Sequence, residues 1–446
     1  MNKGDILAAA TSGYKGKAAK ELQRAAVSIG DNITITKGGK AYEGTLFPRS
    51  EYADDTHVIL KLKNGYNLGI ELTEGTVIEF LSKGEKPEFV SPPHPKEKPE
   101  LPRVSIISTG GTIASRVDYR TGAVQPALTA EDLHCFVPEL SNIARIKATV
   151  LSSEFSENIG PKHWREMADT AFKELKNGSE GIVFSHGTDT MGYTAAALSF
   201  ALRDLPCPVV FVGSQRSSDR PSSDAASNLM AATAIAAKAP FAEVVVAMHE
   251  TNSDEYISIH RGTRVRKCHT SRRDAFKTVD SKPLGRIDLK NLDLNVLDET
   301  IRLRDQSRAP HVNANFEEKV ALLKFHPNFN PEIIDWFKEK KYRGIVFEGT
   351  GLGHVNRACF EPIKRALDSG LLVGMTSQCI WGMIDMNVYE TGRDLLAMGV
   401  MPLGDMISET AYVKMMWVLG QTTDIVKAKE MMATNMAGEF TQRRPL

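Results

Sequence analysis

The chain has 446 residues, of which 42% are hydrophobic and 25% charged, a composition typical of a globular protein long enough for two or three domains. Its 55 Lys and Arg residues equal its 55 Asp and Glu residues, so a formal net charge of zero excludes a global electrostatic attraction to nucleic acid or membranes. Five scattered cysteines without a CxxC pair, and eleven histidines without an HExxH pair, predict a reduced cytoplasmic protein with no structural metal.

Residues 1–85 are predicted to form a small β-barrel domain of the SH3-like or Sm-like kind. A helical stretch over 15–28 precedes two pairs of alternating runs, which turn at Gly38-Gly39 and at Asn64-Gly65 and suggest about five short strands. Such barrels bind nucleic acid, peptides or sibling subunits. Because this one lacks a stripe of aromatic and basic residues, docking is favoured over RNA binding. Residues 86–102 hold six of the 21 prolines and predict a semi-rigid linker.

Residues 103–300 alternate between β-branched runs and helical patterns, which is typical of a parallel α/β sheet with right-handed crossovers. A connector over 301–318 leads into a smaller α/β domain at 319–446, where three more strands alternate with helices. The predicted fold class is therefore a two-lobed α/β body preceded by a small β-barrel. The strands of the larger lobe are expected at 103–109, 181–185, 208–214 and 242–248, and its helices at 161–176, 191–204 and 222–238.

Three strand-to-helix turns of this body carry many hydroxyl and carboxylate groups. The first strand ends in STGGTIAS (108–115), the second in SHGTDT (185–190) and the third in GSQRSSDRPSSDA (213–225). Because ligands of open α/β sheets bind beyond the carboxyl ends of the strands, we expect Thr112, Thr188 and Asp189 to converge on one pocket. The glycine turns and helix N-termini would supply N–H groups for a developing oxyanion.

A threonine hydroxyl is a weak nucleophile until a base removes its proton. Lys267 is the candidate base, because the arginines that flank it create a positive field that disfavours its charged form. These arginines are Arg264, Arg266, Arg272 and Arg273. Asp189 would orient the Lys267 side chain and balance its charge, or it would bind an ammonium group of the substrate. Each of these stretches could instead have a purely structural role. The Gly-Gly pair could form a tight turn, the basic cluster could be a solvated face, and the turns rich in Ser and Thr could cap helices.

STGGTIAS and FSHGTDTM together resemble the two active-site signatures of the bacterial-type L-asparaginase family, and RKCHT followed by DAFKTVDSKPLGRID is similar to its lysine segment. The resemblance spans about residues 103–420 and implies a larger and a smaller α/β domain, with active sites near a dimer interface. It implies Thr112 as the nucleophile that attacks a side-chain amide. Thr188 and Lys267, with Asp189, are implied as the second hydroxyl and its base system, and Asp189 also as the grip on the substrate α-ammonium.

The same resemblance implies the substrate-binding residues. Ser156, in FSENIGPKHW, stands where the family has a substrate-binding serine, and Glu157 is the next position. Tyr119 is the counterpart of a tyrosine on a mobile loop after the first signature. Gly111 and Gly187 complete the expected set through their backbones.

Three further features resemble one branch of that family, the asparaginase-like subunits of archaeal glutamyl-tRNA(Gln) amidotransferases. They are the N-terminal barrel with its linker, the turn GSQRSSDRPSSDA, and the segment over 390–417 of the smaller lobe, so the resemblance now covers nearly the whole chain. It implies an amidase subunit that releases ammonia from Gln or Asn. A partner, the E-type subunit of these enzymes, would activate Glu-tRNA(Gln) with ATP and Mg²⁺ and accept the ammonia.

The resemblance also implies how the activity is divided between chains. No cofactor is expected on this chain, and ATP and Mg²⁺ are expected on the partner. The implied assembly is a homodimeric core within a cytoplasmic heterotetramer of two copies of this chain and two of the E-type subunit. Zero net charge fits a subunit that leaves tRNA binding to its partner. Two alternatives stay open: a free-standing cytoplasmic L-asparaginase with an extra domain, and a scaffold subunit without catalysis.

Overall fold

The computed structural model of the chain describes residues 13–49, 54–62, 67–84, 98–111, 115–117, 124–126, 137–216 and 223–441. The chain forms two compact units. One comprises Met1–Pro93, Ala114–Ala127 and Arg216–Asp224, and the other comprises His94–Ile113, Leu128–Gln215 and Ala225–Leu446. Within the described ranges, none of the helices has both the length and the apolar character needed to cross a membrane.

The described part of the first unit contains a helix and a five-stranded antiparallel sheet. Its elements are α1 (Gly16–Arg24), β1 (Asn32–Lys37), β2 (Lys40–Leu46), β3 (His57–Lys61), β4 (Asn67–Glu71) and β5 (Val77–Ser82), followed by the paired short strands β7 (Ser115–Val117) and β8 (Val124–Pro126). The strand order in the sheet is β4-β3-β2-β1-β5. The turn between β1 and β2 is Gly38-Gly39, and both glycines have positive φ, as a two-residue type I′ hairpin requires. The predicted helix and the prediction of about five strands are confirmed, whereas the expected turn at Asn64-Gly65 lies outside the described residues.

The second unit is centred on an eight-stranded mixed sheet. The strands are β6 (Arg103–Gly110), β9 (Arg145–Glu154), β10 (Gly181–Ser185), β12 (Val209–Val212), β13 (Val244–His249), β14 (Tyr256–Arg261), β17 (Gly285–Asp288) and β18 (Leu294–Val296), in the order β18-β17-β14-β13-β12-β10-β6-β9. In the sheet, the neighbouring strands β9, β6, β10, β12 and β13 run parallel to one another. The three strands on the other side of β13, which are β14, β17 and β18, pair antiparallel. The four predicted parallel strands are confirmed as neighbours, while β9 and the antiparallel extension were not predicted.

Three helices connect the parallel strands as predicted: α2 (Pro161–Lys176), α3 (Met191–Ala201) and α4 (Ala225–Lys238). Proline at the first position of α2 suits a helix start, because that position needs no N–H donor. Alanine dominates the buried faces of α3 and α4, which lets these helices approach the sheet closely. The described residues of this lobe also form two short strand pairs: β11 (Leu202–Arg203) with β19 (His311–Val312), and β15 (Val265–Lys267) with β16 (Phe276–Thr278).

The smaller lobe of this unit has a four-stranded parallel sheet in the order of its strands along the chain. Its strands are β20 (Val320–Lys324), β21 (Gly344–Gly349), β22 (Leu372–Ser377) and β23 (Met401–Pro402), and its helices are α5 (Glu332–Glu339), α6 (Phe360–Asp368), α7 (Glu390–Met398), α8 (Ser408–Gln421) and α9 (Ile425–Ala433). Helix α8 packs against α3, where Trp417 stacks on Phe200 at a ring-centroid distance of 6.1 Å. The two lobes therefore share one hydrophobic core, and the predicted two-lobed α/β class is confirmed.

Candidate active site

The turns that follow β6 and β10 touch through their backbones. Gly111 has a φ of +82°, and a Cβ at this position would lie 2.5 Å from the backbone nitrogen of Gly187. Thr109 ties the two strand ends together, because its hydroxyl donates to the Ser185 carbonyl at 2.8 Å. Only glycine fits position 111, since a side chain would be strained by φ and would overlap the neighbouring turn.

Ser156 lies beside the second of these turns. It follows β9 in a single 3₁₀ turn, Ser156–Asn158, and is buried, with a relative exposure of 4%. A Cβ on Gly187 would lie 2.8 Å from the Ser156 Cβ, and the Thr190 hydroxyl donates to the Ser156 carbonyl at 2.6 Å. The next predicted residue, Glu157, is exposed to solvent. The three strand ends therefore bring Gly111, Gly187 and Ser156 together.

Lys267 is the last residue of β15 and lies 78 residues after Asp189 in the sequence, yet its side chain contacts the turn that follows β10. Its Nζ lies 2.8 Å from Thr188 Oγ1 and 2.8 Å from Asp189 Oδ1. The lysine side chain is 12% exposed and the aspartate side chain 70% exposed. The structure thus groups a hydroxyl, an ammonium and a carboxylate, and the carboxylate keeps an open face toward solvent.

The arginines around Lys267 do not form the uncompensated positive field that the sequence suggested. Each of the four guanidinium groups lies against a carboxylate, which offsets much of its positive charge. The pairs are Arg264 with Asp405 (3.1 Å), Arg266 with Glu409 (3.2 Å), Arg272 with Asp274 (2.9 Å) and Arg273 with Asp254 (2.8 Å). The flanking arginines therefore add little uncompensated positive charge around Lys267.

A polar relay that the sequence analysis missed supports the third turn. A Cβ at Gly213 would lie 2.8 Å from Thr188 Cγ2, so this turn packs directly against the second. Asn228 Nδ2 donates to the Gly213 carbonyl at 2.9 Å, and Asn228 Oδ1 pairs with His249 Nδ1 at 2.7 Å. The relay continues from His249 Nε2 to Asp254 Oδ1 at 3.1 Å. A buried Asn in an alanine-rich helix and a His that ends an apolar strand are the sequence signals that could have revealed it.

His186 separates the strand β10 from the reactive side chains. It is fully buried, which lowers its pKa to about 4 and keeps the ring neutral at pH 7. Its Nδ1 lies 2.7 Å from the Gly187 carbonyl, and because a carbonyl only accepts, Nδ1 carries the proton. The imidazole therefore orients the Gly187 turn.

Two of the predicted site residues, Thr112 and Tyr119, lie outside the described residues. Among the residues that the structure does describe, no three His, Cys, Asp or Glu side chains are grouped as metal ligands. The described part of the site can polarise a hydroxyl through Lys267, hold a cationic group at Asp189, and present closely packed backbone turns to a reacting carbonyl.

The sequence matches three family descriptions. Residues 103–301 match "Asparaginase, N-terminal", residues 319–432 match "Glutaminase/Asparaginase C-terminal domain", and residues 27–81 match "GatD N-terminal domain". The first two ranges contain all the described site residues. The third falls on the five-stranded sheet of the first unit.

Similar chains are found among curated proteins and solved structures. The D-type subunit of the glutamyl-tRNA(Gln) amidotransferase of Methanopyrus kandleri is 50% identical over 442 residues, which cover 98% of this chain and 96% of that protein. The subunit of the same name from Pyrococcus furiosus is 51% identical over 425 residues, or 94% of this chain and 96% of the relative. The L-asparaginase structure from Thermococcus kodakarensis matches with a TM-score of 0.68 and 32% identity, covering 76% of this chain and 100% of that one.

Proposed function

The chain belongs to the family of D-type subunits of glutamyl-tRNA(Gln) amidotransferase, and we propose that it is the amidase subunit of such a tRNA-dependent amidotransferase. It hydrolyses the side-chain amide of Gln or Asn, and a partner subunit uses the ammonia to convert Glu-tRNA(Gln) to Gln-tRNA(Gln). The observation that carries the proposal for this chain is the contact of Lys267 Nζ with both Thr188 and Asp189.

The reaction begins with attack of the Thr112 hydroxyl oxygen on the amide carbonyl. The threonine proton passes to the Lys267 system through Thr188, and backbone N–H groups of the glycine turns stabilise the oxyanion. The C–N bond then breaks, and ammonia leaves after it takes up a proton. Water hydrolyses the threonyl ester, which regenerates Thr112 and releases the free carboxylic acid.

Recognition of the donor amino acid falls to the residues around this centre. The exposed carboxylate of Asp189 binds the α-ammonium, while it also balances the charge on Lys267. The α-carboxylate is bound by the Ser156 hydroxyl and by backbone N–H groups near Gly111 and Gly187. Glu157 and Tyr119 also contribute to binding of the donor amino acid.

The partner subunit of the proposed complex supplies the activation of Glu-tRNA(Gln), which this chain does not carry out. No cofactor is required for amide hydrolysis by a threonine and a lysine, and the E-type subunit binds the ATP and Mg²⁺ that activate Glu-tRNA(Gln). Zero net charge on this chain supports tRNA binding by the partner. The proposed complex is a cytoplasmic heterotetramer of two copies of this chain, which form the dimeric core, and two copies of the E-type subunit.

The decisive experiment measures ammonia release from Gln and from Asn by the purified chain alone, and then with the E-type subunit and Glu-tRNA(Gln). We expect low activity alone and a sharp increase in the complete system. In the complex, Lys267→Met should lower kcat by about 10²-fold or more, as expected for loss of a general base. Lys277→Met, which removes a nearby lysine from β16, is the matched control and should change kcat by less than about threefold.

A second candidate is a free-standing L-asparaginase with an added domain. It is favoured by the match that covers 100% of the Thermococcus kodakarensis asparaginase chain. High Asn hydrolysis by the lone chain, indifferent to the E-type subunit and to tRNA, would establish this function instead. A Lys267→Met variant that raises KM but keeps kcat would limit Lys267 to substrate positioning.

A further inference from the structure

A cavity of about 980 Å³ lies at the edge of the large sheet opposite the candidate active site. It is lined by Glu243 and Val244, where β13 begins, and by Leu202 and Arg203, directly after α3 ends. Because β10, β12 and β13 are parallel, the beginning of β13 lies at the edge away from the SHGTDT turn. Helix α3 starts at that turn and is about 16 Å long, so it separates the two sites.

The cavity lining is rich in charge. Four lining cations, Arg203, Arg261, Lys282 and Arg302, are accompanied by three carboxylates, those of Glu243, Asp298 and Glu299. Arg261 binds two of the three carboxylates: its Nε lies 2.7 Å from Glu243, and its Nη1 lies 3.7 Å from Asp298. Glu243 and Asp298 are therefore engaged by Arg261, while the third carboxylate, Glu299, is exposed and forms no ion pair within the described residues.

Two arginines are left facing the cavity without an acidic partner. In the part of the chain that the structure describes, no carboxylate lies within ion-pair distance of the guanidinium of Arg203 or Arg302, and the nearby Asp204 faces His311. Arg203 is held in place by donation to the Met436 carbonyl at 3.1 Å. Burial is the main cause that lowers the pKa of Arg203, and the charge of Arg302 lowers it further, whereas the carboxylates of Asp204 and Glu439 act in the opposite direction.

We propose that Arg203 and Arg302 form a binding site for a small phosphate-bearing molecule, separate from the amidase centre. Because both arginines line the same cavity, a dianionic group bound there would compensate their charges and would accept hydrogen bonds from their guanidinium groups. A phosphate ester carries about −1.5 to −2 charges at pH 7 and has three acceptor oxygens. It can therefore balance two guanidinium charges and accept hydrogen bonds from both groups.

The size of the cavity argues for an organic phosphate. Pockets for small molecules measure roughly 300–1,000 Å³, so this cavity has room well beyond a single phosphate group. Leu205, Leu297 and Phe440 add apolar surface to the lining, and Thr300 and Asn435 add neutral polar groups. The chemistry is that of a phosphorylated metabolite or nucleotide, with the phosphate at the arginine pair.

The test is isothermal titration calorimetry of the full chain with inorganic phosphate, pyrophosphate and AMP, with succinate as a carboxylate probe, all at matched ionic strength. We expect saturable binding of at least one phosphate compound. Arg302→Gln should weaken that binding at least tenfold, about 1.4 kcal/mol. The control is Arg357→Gln, which removes the same charge from an exposed site on the smaller lobe, where Arg357 pairs with Glu390, and should leave binding unchanged.

Arg203→Gln should weaken binding by a similar factor, but it also removes the hydrogen bond to Met436. Arg302→Gln is therefore the primary variant, because no hydrogen bond of the Arg302 guanidinium is found in the described part of the chain and folding should be unaffected. Absence of saturable binding by every phosphate probe would overturn the proposal. Binding that survives Arg302→Gln unchanged would place the anion elsewhere, and binding of succinate alone would refute the phosphate assignment.

Discussion

Substitution of Lys414 by Met should strongly destabilise the catalytic body. The side chains of Lys414 and Glu439 are both completely buried, with Nζ 2.6 Å from Oε1. The ammonium also donates to the carbonyls of Met432 (2.9 Å) and Thr434 (2.6 Å), so all three of its N–H groups are used. This pair fixes the C-terminal segment onto helix α8.

The expected loss of unfolding free energy depends on which buried groups each substitution leaves unpaired. Lys414→Met strands the Glu439 carboxylate in the core with only the N–H groups of Met436 and Ala437 as donors. Removing one member of a buried ion pair costs about 3–5 kcal/mol, whereas replacing both members with neutral groups often costs little. Burial lowers the pKa of Lys414, which shows that desolvation works against the ammonium. The double variant Lys414→Met/Glu439→Gln should therefore recover at least about 2 kcal/mol.

The same substitution should reduce activity, because the fixed segment supports the chain just before Lys267. The Thr263 hydroxyl donates to the Ala437 carbonyl at 2.9 Å, and Arg264 Nε donates to the Gly438 carbonyl at 3.0 Å. Loss of the ion pair loosens these contacts, and we expect kcat for amide hydrolysis to fall about tenfold, since small displacements of reacting groups are costly.

Urea unfolding followed by tryptophan fluorescence measures the effect, because Trp417 lies on the same helix as Lys414. The matched control is Lys364→Met, which breaks an exposed pair with Asp368 (3.0 Å) and should change the free energy of unfolding by less than about 0.5 kcal/mol. A Lys414→Met variant within about 1 kcal/mol of the parent, or strictly additive single substitutions, would refute the reasoning.

Three further predictions concern the pH dependence and the active-site turns. Burial lowers the pKa of His260 to about 3. In the unfolded chain the histidine pKa is about 6.5, so the unfolded state binds more protons than the folded state between pH 7.5 and pH 5. His260 should therefore lower the free energy of unfolding by about 2 kcal/mol as the pH falls across this range. Urea unfolding of the His260→Gln variant should not show this loss. His249→Leu should lower kcat at least about tenfold by breaking the relay to the third turn, while His311→Leu, at a side chain 71% exposed, should be neutral in the same assay. Gly111→Ala should abolish ammonia release, because its Cβ would lie 2.5 Å from backbone. Gly75→Ala, with a similar φ of +84° and no atom within 4 Å, should cost only about 1–2 kcal/mol in a thermal melt and keep full activity.

Elements with strong local signals were predictable from the sequence. Helix α2 has the predicted bounds, Pro161–Lys176, because a proline marks its start and a clear apolar periodicity runs through it. The parallel strands were predicted because they are buried on both faces and read as continuous β-branched runs. Strand β9 escaped prediction because it lies at the edge of the sheet and none of its residues is fully buried.

The electrostatics of the site could not be predicted, because the relevant partners are remote in sequence. Around Lys267 the local sequence shows mostly basic residues and suggests a strong positive field. Asp405 and Glu409, which pair with Arg264 and Arg266, come from the smaller lobe about 140 residues later in the chain. Charge counted along a segment therefore overstates the field that a folded protein creates there.

These remote partners also give the smaller lobe a role in the chemistry. Lys267 ends a strand of only three residues, which cannot by itself fix an ammonium within hydrogen-bond distance of two side chains. The segment before it is clamped by the Arg264–Asp405 ion pair and by the Thr410 hydroxyl, which donates to the Thr263 carbonyl at 2.8 Å. Because these contacts come from the smaller lobe, the position of Lys267 depends on the packing of the two lobes, and substitutions at that contact should reduce kcat without touching substrate.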